Sequence, residues 1–297
     1  MAYTLQNDVL KIAVKKTGAE LCSIQSMANG TEFIWQADPM VWANHAPNLF
    51  PIIGALKNDA YSFEDQTYHL PKHGFLRGNT DFEVTEHSKT SLSLTLTYNE
   101  ATLKTYPFKF VFYITYQLTD NKLDIIHTVE NLDDKPLYFS LGGHPAFKCP
   151  VFADEHYSDY RLVFETEETA HTHLINMENG LISNRTKPLL NQTNQLPLTH
   201  KLFLEDALIF KDLKSKAVTL NSKEHGDILT LSYPDFKYLG IWAKPNGDYV
   251  CIEPWLGIAD SETTDQAFTT KEGILSLDAN GIFEAWYSVE IANECLS

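Results

Sequence analysis

No two cysteines in the sequence are spaced as C-x-x-C; Cys22, Cys149, Cys251 and Cys295 are scattered along it. That pattern speaks against a structural zinc module or a disulfide framework and for free thiols in a reducing cytoplasm. No apolar run approaches the ~18 residues of a membrane span. The opening stretch, Met1 to Asp8, lacks the basic start and apolar core of a signal peptide. No cluster of Lys and Arg offsets the net charge of −16, which argues against nucleic acid or an anionic membrane as partner. The G-x-S-x-G elbow, the P-loop and G-x-G-x-x-G are all missing, so a serine-hydrolase elbow and nucleotide cofactor sites have no support. Nothing is Gly/Ser-rich, and no low-complexity tract separates two halves.

What is present is a globular composition, 43% hydrophobic and 12% aromatic, over 297 residues. Length alone would allow two domains, but large all-β folds often exceed ~200 residues as one unit. With no linker, the expectation is one domain over 1–297. Alternation with period two dominates. Leu92, Leu94, Leu96 and Tyr98 share one face; Phe108, Phe110, Phe112, Ile114, Tyr116 and Leu118 form a longer one. Thr119-Asp120-Asn121-Lys122 then reverses the chain into Leu123, Ile125, His127 and Val129, a hairpin signal. Further runs follow at 160–164, 207–210, 217–220, 228–233, 238–242, 249–252 and 282–291. Only Pro39–His45 and the stretch near Ala259–Phe268 allow short helices. Residues 165–200, the most polar region, read as an excursion over the surface. Many short strands with little helix predict a large antiparallel sandwich or barrel.

The chemistry concentrates at three places. Pro71-Lys72-His73-Gly74-Phe75-Leu76-Arg77-Gly78 has the Gly and Pro density of a loop, able to aim His73 and Arg77 into one cavity. His144 lies between Gly142-Gly143 and Pro145; the glycines allow a ligand to approach the backbone, and an imidazole is the natural acid near neutral pH. Glu253 follows the apolar run 249–252 and precedes Pro254-Trp255. A carboxylate there is either solvated at a strand end or desolvated with a raised pKa, and then a competent general base. Each group alone also fits a bland role: a core histidine, a turn salt bridge, or, for Asp206, the end of a loop before a strand.

Together these residues resemble the aldose 1-epimerase (mutarotase) superfamily, in its bacterial mutarotase-like branch. The carriers are Phe50-Pro51-Ile52-Ile53-Gly54, His73-Gly74-Phe75-Leu76-Arg77, Gly143-His144-Pro145-Ala146-Phe147, Asp206, and Glu253-Pro254-Trp255. The resemblance implies a galactose mutarotase-like antiparallel β-supersandwich with the sugar site on a concave sheet face. It implies that Glu253 takes the proton of the anomeric hydroxyl while His144 protonates the ring oxygen, with base and acid on opposite sides of the anomeric centre. The ring then opens, rotates and recloses as the other anomer. His73, Arg77 and Asp206 would hold the sugar, with Trp255 or Phe147 as stacking platforms. Neither metal nor cofactor is implied, and the partner is a small sugar bound by a monomer or homodimer.

One departure stands out: relatives often carry an arginine just after the glycine of F-P-x-x-G, and here Ala55-Leu56-Lys57 follows Gly54. Lys57 or Arg77 would then supply the cation. Three other readings stay open: a non-catalytic sugar-binding protein on this fold, an epimerase acting on a hexose 6-phosphate, and a glycoside hydrolase, which needs two carboxylates ~5–10 Å apart. His171-Thr172-His173 could place two imidazoles on one strand face near Glu165, Glu167 and Glu168, though such polar surface is usually solvated.

Overall fold

The period-two segments form strands in the computed structural model, which describes all 297 residues. The largest sheet starts at Asn48–Leu49 and passes through Leu141–Gly143, Tyr249–Leu256, Tyr238–Trp242, Leu208–Phe210 and Tyr160–Ile175. It continues through Ala217–Ser222, Gly226–Ser232, Ile282–Ile291, Lys122–Asn131, Phe110–Thr119, Ser91–Thr97 and Glu83–His87. Neighbouring strands along this path pair antiparallel. Smaller sheets flank it, one of them the N-terminal meander Ala2–Gln6, Leu10–Lys15 and Leu21–Ser26.

The expected hairpin has Thr119 facing Lys122, with Asp120 at a φ of 48° in the turn. Its register decides what is buried. Leu94, Ile114, His127 and Ala285 form one row across four strands, and all four are fully buried. They belong to a core of 69 buried residues reaching from Leu5 to Cys295. A second cluster of 10, including Ile53, Ile175, Ile209, Trp255 and Ala259, lies apart from it.

His127 is the exception in that apolar row. Its Nε2 is 3.4 Å from Asn48 Oδ1, its ring stacks on Tyr287, and its Nδ1 has no protein partner. Burial pulls its pKa down from 6.5 to about 3. The folded state therefore keeps His127 neutral while the unfolded chain takes up its proton below pH 6.5. Stability is expected to be full above pH 6.5 and to fall as pH drops from there toward 3. Denaturant titrations at pH 7.5 and 5 should show this fall, and His127→Gln should flatten it; an unchanged slope in that variant would refute the assignment.

Three expectations change. Neither 39–45 nor 259–268 is a helix: the first holds only a turn at 39–41, and the second ends in a single 3-10 turn, Phe268–Thr270. Pro39 and the run Asp260-Ser261-Glu262-Thr263-Thr264-Asp265 favour side-chain-stabilised turns over helix. The one α-helix, Glu100–Thr105, is closed by a capping box from Asn99 and Thr102. The polar excursion is regular: Tyr160–Ile175 and Ile182–Pro197 make a hairpin of two 16-residue strands. Its register shifts repeatedly and its outer half faces solvent, so no clean apolar alternation marks it in the sequence. No helix is long and apolar enough to cross a membrane.

Candidate active site

The loop around His73 is held by its own backbone. His73 N–H donates to Gly54 O (2.9 Å), and Gly54 N–H donates to His73 Nδ1 (3.1 Å). His73 takes a φ of 69° and Gly74 one of 75°. A Cβ on Gly74 would lie 2.1 Å from Phe50 O, so only glycine fits. Because Nδ1 accepts, the neutral ring carries its proton on Nε2. Burial, then His144, Lys72 and Arg77, hold the His73 pKa well below the ordinary range. His73 is thus a fixed, neutral donor.

Glu253 does not end a strand. Tyr249–Leu256 runs through it and Pro254, and all eight residues are buried. Pro254 is tolerated because it pairs with Leu239 on one side only: on the other, the ladders reach Cys251 and resume at Trp255, so the strand has a free edge there. Along this strand Cys251, Glu253 and Trp255 share a face. Gly240 pairs with Glu253 in the next strand, and the space its missing side chain leaves is filled by the Trp255 indole. A Cβ at Gly240 would be 2.5 Å from the Trp255 ring, and one at Gly142 would be 2.6 Å from Pro254 O and 2.9 Å from that ring. Gly143 is closed by Tyr287, whose hydroxyl would be 2.6 Å from a Cβ. The glycines before His144 therefore make room for aromatic side chains, not for the backbone approach of a ligand. Gly240→Ala is expected to push Trp255 into the cavity and weaken sugar binding at least ~10-fold with the fold intact. Tryptophan fluorescence titration with sugar checks this, and wild-type affinity would refute it.

His144 follows strand Leu141–Gly143, and its N–H donates to Pro47 O (3.0 Å). Its Nε2 is 3.3 Å from Glu253 Oε2. Trp42 stacks on the imidazole at 5.0 Å between centroids, while Trp242 and His73 meet it edge-on at 5.8 and 5.7 Å. Burial lowers the His144 pKa from 6.5 to about 3, with Lys72 and Arg77 acting the same way. Burial likewise raises Glu253 well above the carboxylate range, reinforced by Asp206 and opposed by Lys72. Both shifts favour the neutral forms of the two groups.

All five predicted residues, His73, Arg77, His144, Asp206 and Glu253, line one cavity of about 180 Å³. Asp206, half-buried at a φ of 71°, precedes strand Leu208–Phe210, and its Oδ1 accepts from Ala207 N–H. Ile53, Ile175, Ile209 and Ala259 supply an apolar floor. Lys72, Trp42 and Trp242 also line the cavity and were not predicted. Lys72 was legible as the neighbour of His73 in a Gly/Pro loop, whereas nothing around Trp42 points to His144. Trp255 lines the cavity as expected, but Phe147 is fully buried in the main core.

Lys57 is not the missing cation. Its Nζ donates to Glu262 O and its N–H to Asp260 Oδ2, outside the cavity. His171 and His173 lie apart, on a shallow cavity with Lys211 and Asp212. The nearby carboxylates are engaged: Glu168 accepts from Lys214 N–H, Ser215 N–H and Ser215 Oγ, and Glu165 from Lys216 N–H. The ligand atoms of His144, Cys251 and Glu253 lie within 4.8 Å of one another. A cation there would have to displace the thiol proton, yet burial and then Glu253 push the Cys251 pKa well up.

This arrangement has counterparts. The model of the family described as "Aldose 1-epimerase" matches residues 1–267. The chain belongs to the aldose 1-epimerase family. It is 34% identical to the chromosomal protein LacX of Lactococcus lactis subsp. lactis over 269 residues, 88% of this chain and 89% of that one. Among solved structures, a galactose mutarotase related enzyme from Lactobacillus acidophilus is 36% identical with a TM-score of 0.93, covering 98% of this chain and 97% of its own. A galactose mutarotase-like protein from Lactobacillus casei is 33% identical with a TM-score of 0.90, covering 98% and 100%. The galactose mutarotase-like fold expected from the motifs is the fold of this chain. In this aldose 1-epimerase family member His144 and Glu253 stand side by side on the cavity wall.

Proposed function

We propose that this chain interconverts the α and β anomers of an aldose by acid–base ring opening. The observation that carries the reading is the buried contact between His144 Nε2 and Glu253 Oε2, 3.3 Å apart on the cavity wall. The anomeric oxygen and the ring oxygen share one carbon, so two catalytic groups in contact can serve both. Glu253 takes the proton of the anomeric hydroxyl as His144 delivers one to the ring oxygen. The aldehyde rotates about C1–C2, and the reverse transfers close the ring from the other face. Proton balance returns to its start, because both states of the pair hold the same single proton. Burial favours the state with both groups neutral, and the Lys72 cation pulls Glu253 back toward its ionised form. His73 donates from Nε2, Asp206 accepts sugar hydroxyls, and Trp42 with Trp255 packs apolar faces of the ring.

The 69-residue core, drawn from both ends of the chain, supports a single domain over 1–297. The four unpaired cysteines support a reducing, cytoplasmic setting. The pair of a buried acid and base supports catalysis over mere sugar binding, since a binding site gains nothing from two desolvated titratable groups. Polarimetry of fresh α-glucose and α-galactose with purified protein tests the reading. A rate above the buffer blank is expected; no acceleration for any free aldose, charged or neutral, would overturn it.

A further inference from the structure

The groups lining the catalytic cavity divide sharply. Lys72, His73, Arg77, His144, Asp206 and Glu253 are ionisable, and no Ser, Thr, Asn, Gln or Tyr joins them. The floor is Ile53, Ile175, Ala207, Ile209 and Ala259, all buried and packed in one apolar cluster with Trp255. Part of it comes from an unexpected source. The hairpin Tyr160–Ile175 and Ile182–Pro197 is exposed over much of its length, yet Leu174, Ile175, Leu181 and Ile182 at its closed end are buried.

Strand register places this floor relative to the base. Ile209 pairs with Gly240 and Gly240 with Glu253, so the three stand in one row across neighbouring strands. Their side chains leave the same face of the sheet, and the Trp255 indole covers Gly240 between the other two. Two strand spacings of ~4.8 Å separate Ile209 from Glu253 by about 10 Å along the row, a span comparable to one pyranose with its substituents. A ring with its anomeric oxygen at Glu253 therefore brings its far side to the isoleucines.

That end offers a hydroxyl no partner. Ile209 N–H donates to Thr172 Oγ1 (2.9 Å), Ala207 N–H to Asp206 Oδ1 (2.8 Å) and Gly54 N–H to His73 Nδ1 (3.1 Å). The floor is also pinned: Ile182, paired with Ile175, donates its N–H to Asp260 O (2.8 Å), and its O accepts from Glu262 N–H (3.0 Å). In the proposed reaction Glu253 and His144 serve the anomeric and ring oxygens, which leaves Lys72, His73, Arg77 and Asp206 for the hydroxyls on C2, C3 and C4. A hexose adds one more on C6, the carbon branch of the ring. Seated on the floor, that hydroxyl loses its water and gains no hydrogen bond, whereas a methyl group there buries apolar surface.

We propose that Ile175 and Ile209 set specificity and that the preferred substrate is a 6-deoxyaldohexose, its C5 methyl group seated on the floor they form. This deepens the epimerase reading and rests on it. The chemistry is unchanged, since the anomeric hydroxyl and the ring oxygen are the same in a hexose and its 6-deoxy form.

The test is anomer exchange at equilibrium by NMR, with the buffer blank subtracted. 6-Deoxy-D-galactose and 6-deoxy-D-glucose are compared with D-galactose and D-glucose, and with L-arabinose and D-xylose, which lack C6. In wild type, kcat/KM is expected to be about ten- to a hundredfold higher for the deoxy sugars than for their parents. Over the pentoses the gain is about fourfold, from the one buried methyl group. In Ile175→Thr and Ile209→Thr, checked for folding by circular dichroism, the new hydroxyl gives the C6 hydroxyl a partner, and the deoxy preference should fall at least about threefold. Equal or faster turnover of the parent hexoses, or of the pentoses, overturns the proposal and leaves the epimerase reading standing. A preference unchanged in both folded variants overturns the role of Ile175 and Ile209. Tighter binding of the deoxy sugars in fluorescence titration, without acceleration of any exchange, keeps the apolar specificity and overturns the epimerase reading. Neither turnover nor preferential binding overturns both.

Discussion

Replacing Glu253 with glutamine is expected to lower the catalysed rate of anomer exchange by ~10²–10⁴-fold, or roughly 3–5 kcal/mol of barrier. The amide keeps the carboxylate's shape beside His144. It cannot take a proton from the anomeric hydroxyl. The loss should therefore fall on kcat, with sugar affinity close to wild type, read from the fluorescence of Trp42, Trp242 and Trp255 in the cavity. His144→Asn should cost a similar factor by removing the other half of the proton exchange. The two changes combined should cost little more than either alone, because groups that act as a unit are not additive. The same substitution should not destabilise the fold: a buried carboxylate 1% exposed, next to a neutral imidazole, is held against its own desolvation. A Glu253→Gln protein exchanging anomers at the wild-type rate above the blank would show that Glu253 is not the base.

The second large effect concerns stability. Lys271 Nζ lies 2.9 Å from Asp260 Oδ1, with side chains only 4% and 3% exposed. Lys271 Nζ also donates to Ile258 O (2.6 Å), and Asp260 Oδ2 accepts from Lys57 N–H (3.0 Å). Burial draws the Lys271 pKa down, and Asp260 holds it up. Lys271→Met leaves the Asp260 charge buried without its partner, which typically costs ~3–5 kcal/mol. Against a total stability of order 5–15 kcal/mol that is a large share, equivalent to a melting-point drop of about 10 °C. Adding Asp260→Asn should recover part of the loss, since the amide still accepts from Lys57 N–H and carries no charge. Scanning calorimetry of the three proteins decides it, and a drop below about 2 °C in Lys271→Met would show that the pair is dispensable. The pair also anchors Ala259, part of the cavity floor, so residual activity of folded Lys271→Met should fall as well.

Much of the fold was legible because alternation directly encodes which face of a strand is buried. The rows through Leu94, Ile114 and Ala285 follow from period-two patterning, and Asp120-Asn121 marks the turn that sets their register. The chain from 160 to 197 was not legible: its strands are exposed over much of their length and shift register, so no apolar period records them. Glu253 was read as lying past a strand end because Pro254 reads as a strand breaker. Only the pairing of Gly240 with Glu253 and of Leu239 with Pro254 shows that the strand continues.

For the site, the sequence by itself determined which residue types were available and that His73, Arg77, His144 and Asp206 lie at turns or beside strands. Tertiary structure alone decided that they share a cavity: His144 and Glu253, 109 positions apart (253 − 144), meet only where strands Leu141–Gly143 and Tyr249–Leu256 become neighbours. It also decided their protonation. A histidine in sequence is a group with a pKa near 6.5; His144 becomes neutral only when Trp42 and Trp242 close around it and exclude water. Lys57 and Lys72 make the same point in reverse. Both are lysines near a motif, and only the path of the backbone turns one toward Glu262 and the other to the sugar cavity.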